Sequence, residues 1–157
     1  MRYLARLGFV AATGAAIGFG AVSGMAEDKE ALIKERRDTM KRQGEDFKAV
    51  QDYVKGEGDQ ATALARINDL LAINARLGDL FQPGTSMAEF PGKTGAKPEI
   101  WAEWDKFQKI PPVLKSEEEK LAQAVKSGDK QAAAAQLAAT GKNGCGACHT
   151  TYREKLS

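Results

Sequence analysis

Near the end of the chain stands Cys145-Gly146-Ala147-Cys148-His149. Two thiols separated by two residues, with an imidazole directly after the second, form the spacing C-x-x-C-H, which reads as covalent attachment of a c-type haem. The chemistry needs those residues in that order. Each thiol adds across one vinyl group to make a thioether, and the imidazole coordinates the iron from one side. Residues three and four apart share a helical face, so a helix here brings Cys145, Cys148 and His149 to one porphyrin edge. His149 is the only histidine in 157 residues. Other uses of the same five residues explain less. A zinc site needs four ligands, and the chain has two Cys and one His. A thioredoxin-type pair belongs beside a βαβ pattern, and no strand-like run is visible. A disulfide between Cys145 and Cys148 leaves His149 without a role.

The N-terminus reads as an export signal. Arg2 and Arg6 form a positive start, an uncharged run rich in Ala and Gly follows, and Gly24-Met25-Ala26 offers a cleavage site after Ala26. The run is only weakly apolar, which argues against a retained membrane anchor. Residues 1–26 are therefore a signal peptide and 27–157 one domain. Periplasmic localisation agrees with the motif, because bacterial haem attachment takes place outside the cytoplasmic membrane. Arg2 and Arg6 carry the whole formal charge of +2, so the exported part is balanced. Nothing here supports nucleic-acid binding, which requires a basic face.

Residues 27–157 read as four helices. The first spans about 27–55, where Ile33, Met40, Phe47 and Val54 recur every seven residues and Arg36, Gly44 and Val50 share the stripe. Asp59 suits the N-cap of a second helix over 60–81. Residues 82–97 read as a long loop crossing one end of the molecule. Pro98 starts a third helix with Ile100, Trp101, Trp104 and Phe107 on its apolar face. Pro111-Pro112 should interrupt it, with a restart near Ser116, whose pairing with Glu119 matches a capping box. Residues 115–120 read as a solvated capping segment. Asp129 caps the last helix, which Gly141 and Gly144 loosen before it resumes over 145–156. Four helices with mostly short connections imply an all-α, antiparallel up-down four-helix bundle with covalently bound haem.

These residues resemble the class II c-type cytochromes, the cytochrome c′ and cytochrome c556 family. The resemblance rests on Gly144-Cys145-Gly146-Ala147-Cys148-His149-Thr150-Thr151-Tyr152-Arg153, on Lys97-Pro98-Glu99-Ile100-Trp101, on Pro83-Gly84-Thr85, on Val54-Lys55-Gly56, and on Arg36 with Met40. Two departures are Pro111-Pro112, where the family helix is usually continuous, and Asn143-Gly144, where many members have one residue fewer. The resemblance implies one haem c held by Cys145 and Cys148, with His149 as axial ligand. It implies Arg36 close to a haem propionate and Arg153 beside the proximal imidazole. It puts Met40 at the position facing the iron, where Met87 of the long loop is a poorer candidate. With His149 and Met40 both bound to iron, the protein is a single-electron carrier serving redox partner proteins. With Met40 only packed over the iron, it binds small gases such as nitric oxide. Either reading allows a homodimer, and neither makes it an enzyme.

Overall fold

A computed structural model describes residues 20–156, with side chains described from Ala26. The proposed signal peptide lies outside the described residues as far as residue 19, and its cleavage site falls in the opening turns of the first helix. That helix, α1, is Gly20–Lys55. It is followed by α2, Gln60–Ala75, and a 3-10 turn, Leu77–Leu80. After the loop come two single turns, α3 (Glu99–Ala102) and α4 (Trp104–Phe107), then α5, Ile110–Lys126. The last arm is α6, Lys130–Thr140, a π-helical stretch, Gly141–Gly146, and α7, Ala147–Tyr152. The molecule is an antiparallel four-helix bundle. In it α1 packs on α2, α2 on α5, α5 on α6, and α6 back on α1. No described helix is long and apolar enough to cross a membrane.

The expected caps and stops form. Gly56 takes φ 86° after α1, a conformation that L side chains rarely adopt. The Asp59 carboxylate accepts from Thr62 N at 2.8 Å, and Asp129 accepts from Gln131 N and Ala132 N at 2.9 Å. These side chains satisfy backbone donors that the first helical turn leaves free. The stripe on α1 also faces inward. Ile33, Arg36 and Val50 are buried, while Met40, Phe47 and Val54 are half-buried.

Three expectations need correction. The second helix stops at Ala75, and Leu77 and Leu80 are buried from a tighter turn. Pro111 and Pro112 do not break the third helix; they lie in the first turn of α5. There a missing N–H removes no helical bond, and the fixed φ suits the start of a helix. The interruptions come earlier, at Glu103 and at Gln108-Lys109, and Ser116 sits inside α5 without a capping role. Residues 115–120 are not wholly solvated, since Glu117 and Glu118 are buried.

The last arm is irregular where Gly141 and Gly144 are expected to loosen it. A π turn has a wider hydrogen-bonded ring than an α-helical one. Gly141–Gly146 is π-helical. Gly144 is buried there, and a Cβ on it would run into the side chain of Leu114. The last arm therefore lies close against α5, immediately before the cysteines.

Candidate haem site

Beyond α7 the chain turns extended at Arg153, ending the helix before the expected residue 156. Arg153 bridges to Ala96, Glu154 N donates to Gly95 O at 2.8 Å, and Lys97 N donates to Tyr152 O at 3.0 Å. A Cβ on Gly95 would collide with the carbonyl of Glu154. The long loop is thus zipped to the segment that follows the haem motif.

Arg36 fixes the other side of that loop. It is buried, and its two terminal nitrogens donate to Leu80 O (3.0 Å), Thr85 Oγ1 (3.0 Å), Thr85 O (2.7 Å) and Thr94 Oγ1 (2.9 Å). The guanidinium lies 5.0 Å from the centre of the Phe81 ring. Desolvation lowers its pKa to about 10, so it stays charged at neutral pH. Arg36 is therefore no exposed flank charge, and the structure commits its fork to holding residues 80–94. Nothing in the sequence pattern marked Thr85 and Thr94 as its partners, because they lie 49 and 58 residues away.

Beneath the loop sits an aromatic group centred on Phe107. Its ring lies 4.8 Å from Phe81, 5.5 Å from Trp104 and 5.4 Å from Tyr152. Buried polar tips are satisfied, as this chemistry demands. Trp101 Nε1 donates to Phe81 O at 3.0 Å, and the Tyr152 hydroxyl donates to Glu103 at 3.1 Å.

Two cavities open beside this group, of about 390 and 370 Å³. Both are lined by Met40, Cys148 and His149. The first has a basic mouth formed by Arg36, Arg37, Lys41 and Arg153. The second is mostly apolar, with Phe47, Leu70, Phe107 and Leu114 in its wall, together with Cys145 and Glu118. Gly44 leaves its wall low, since a Cβ there would meet nothing within 4 Å. The pair has the character of an amphiphilic macrocycle site. One half offers apolar walls for the ring, and the other offers cations for carboxylates. A haem hung from Cys145 and Cys148 fits these residues. Met87 lines neither cavity.

Burial shapes the ionisation of the motif. Both cysteines are free thiols. Burial pushes Cys148 up to about 11, with Cys145 adding to the shift. Burial also raises Cys145, and the nearby Glu118 adds to it. His149 stands at the cavity mouth, where desolvation by the surrounding wall and then the Arg153 charge lower its pKa. A neutral imidazole is the form that binds a metal. Among the described residues no group of three or more His, Cys, Asp and Glu could hold a metal ion.

Sequence reasoning missed Glu118. A signal was present: Glu118 lies four residues after Leu114 and three before Leu121, on the apolar stripe of α5.

Comparison with known proteins bears on the fold and the family. The profile of the family described as Cytochrome C′ matches residues 31–153. A cytochrome c′ from Pararhodospirillum photometricum is 32% identical over 126 residues, covering 80% of this chain and 98% of the relative. A solved cytochrome c′ with an unusual ligand-controlled dimer dissociation superimposes with a TM-score of 0.73 at 26% identity, covering 81% of this chain and 97% of that one. The nitrosyl complex of a cytochrome c prime variant from Alcaligenes xylosoxidans gives 0.68 at 27% identity, covering 80% and 97%.

Proposed function

This chain belongs to the cytochrome c′ family, and on that premise we propose that it is a periplasmic protein that binds small diatomic gases at a haem. The cofactor is one covalently attached haem c. When bound, it supplies an iron centre that takes a gas ligand or a single electron. Cys145 and Cys148 hold it through thioethers, and His149 holds the iron from one side. Arg153 keeps the imidazole from gaining negative charge. Arg37 and Lys41 at the basic mouth pair with the propionates, and the buried Arg36 holds the loop that closes over them.

Met40 would lie against the haem from α1. Its thioether is apolar and polarizable, and it brings no strong hydrogen-bond donor to a bound ligand. With Phe47 beside it on α1, it keeps bulky ligands and much of the water away while small gases pass. The observation that carries this reading is that Met40, Cys148 and His149 are shared by both cavities. They therefore stand around one space from two neighbouring arms of the bundle, α1 and the last arm. The relatives support the gas over the electron: one solved relative is a nitrosyl complex. Another has a dimer whose dissociation its ligand controls, and a gas-sensitive homodimer belongs to this proposal. Residues 1–26 direct export, and the protein binds rather than turns over a substrate.

The second reading, a single-electron carrier for redox partner proteins, is favoured by the same placement of Met40, since a sulfur that lines the same cavities as His149 could bond the iron. The absorption spectrum of the reduced protein separates the two. Gas binding predicts a high-spin spectrum that carbon monoxide alters, and Met40→Ala raises carbon monoxide affinity without changing spin state. A low-spin spectrum indifferent to carbon monoxide, turned high-spin by Met40→Ala, would establish the carrier instead.

A further inference from the structure

We propose that Glu118 takes up a proton when the haem is reduced and releases it on oxidation. The inference rests on the reading that the haem hangs from Cys145 and Cys148. Glu118 is only 1% exposed, and it lines the apolar cavity together with Cys145, Cys148, His149 and Met40. No Lys or Arg pairs with it among the described residues. Its hydrogen-bond partner is Asn74, whose Nδ2 donates to a Glu118 oxygen at 3.3 Å and to Pro111 O at 3.0 Å.

Asn74 Oδ1 is buried without a donor. A carboxylate at Glu118 brings that amide only acceptors, whereas a carboxylic acid brings one O–H. Leaving a buried acceptor unpaired is unfavourable, so the neutral acid completes the pair. Burial also pushes the Glu118 carboxyl up to about 7, with the Asn74 amide opposing the shift and Glu119 adding to it.

The surroundings leave few rivals for this proton. From α2 the group meets Asn74, and the cavity residues of α1 are Met40, Gln43, Gly44 and Phe47, none titratable. From α6 comes Thr140. From the π-helical turn comes Cys145, whose thiol is spent in the thioether, and from α7 come Cys148, likewise spent, and His149, the proposed iron ligand. On α5 itself, Glu117 turns away to Lys120 and Gln136, and Glu119 is exposed toward Lys115.

The balance is simple. One electron reaches the haem from a one-electron donor, and one proton comes from hydronium, whose O–H bond breaks to leave water as the O–H of Glu118 forms. The electron adds negative charge in a mostly apolar cavity, which raises the proton affinity of a carboxylate in its wall. Linkage is reciprocal, so the proton must raise the potential. One proton per electron gives a fall of up to about 59 mV per pH unit.

The test is a spectroelectrochemical titration of the haem-loaded protein from pH 5 to 9, beside Glu118→Gln. The wild type should show a potential that falls with pH across the region around 7, and the variant should be flat there. A flat wild-type profile overturns the proposal. So does a slope that survives in E118Q, which would assign the proton to the propionates. If E118Q does not fold, the redox-difference infrared spectrum of the wild type decides. A carboxylic acid band should appear on reduction and shift in heavy water; its absence overturns the proposal. Loss of the haem itself, seen as missing mass on the chain, would instead defeat the attachment reading and is scored separately.

Discussion

The end of the bundle away from the haem motif and the end that carries it have cores of different kinds. In the first, Val50, Tyr53, Ala63, Ile67, Leu121, Val125, Ala133 and Leu137 pack together from four regular helices. In the second, Leu77, Leu80, Phe81, Ala96, Ile100, Phe107 and Tyr152 come from short turns, the long loop and the last helix. The regular core is aliphatic apart from Tyr53, and of the residues lining the haem cavities Phe47 packs against it. The second is richer in aromatic rings, is held by side-chain hydrogen bonds, and has Met40 and Cys148 packed against it. Stability and function are thus partly divided. One end closes the bundle, and the other shapes the space around the iron at the expense of helical regularity.

Paired truncations put that division to the test. Leu121→Ala, at 0% exposure, and Phe107→Ala, at 2%, should each cost about 3–5 kcal/mol in denaturant unfolding. Only Phe107→Ala should move the visible spectrum and the carbon monoxide affinity. Equal spectral shifts from both would erase the distinction between the two ends.

The site end should also carry a pH dependence that the regular core lacks. Glu118 is raised from the ordinary glutamate value of 4.5 to about 7, so folding strengthens its hold on a proton. The associated stability is fully present below 4.5 and is lost as pH rises through 7. Its size is roughly 3 kcal/mol for a shift of this order. Unfolding midpoints measured across that window should decline in the wild type and lose the decline in E118Q.

A smaller effect is expected where the loop meets the tail. Gly95→Ala sets a Cβ against the Glu154 carbonyl, which should destabilise by about 1–3 kcal/mol. Because the strain falls next to Arg153, the spectrum should change as well. A change in stability with no spectral trace would mean that the loop supports the fold but not the site.

Much of the regular end could be read from residue order. The seven-residue spacing of Ile33, Met40, Phe47 and Val54 placed α1, and Asp59 and Asp129 placed two helix starts, because these signals act within one or two turns. The motif Cys145, Cys148 and His149 was legible for the same reason. Pro111 was misread because a proline that ends one helix and a proline that begins another look alike until the preceding turn is known. Glu118 was misread because charge usually marks solvent, and only the apolar residues three and four places away argued otherwise.

The order of residues alone determined the helical class, the C-x-x-C-H spacing at Cys145–His149 and the single histidine, since each is read within a few residues. Tertiary structure decided what Arg36 does with its charge, that the loop is tied to the tail through Gly95, and that Asn74 meets Glu118 in the cavity wall. Those pairings join residues 44 to 59 positions apart. Their energies come from desolvation and hydrogen bonding that exist only once the helices have closed around them.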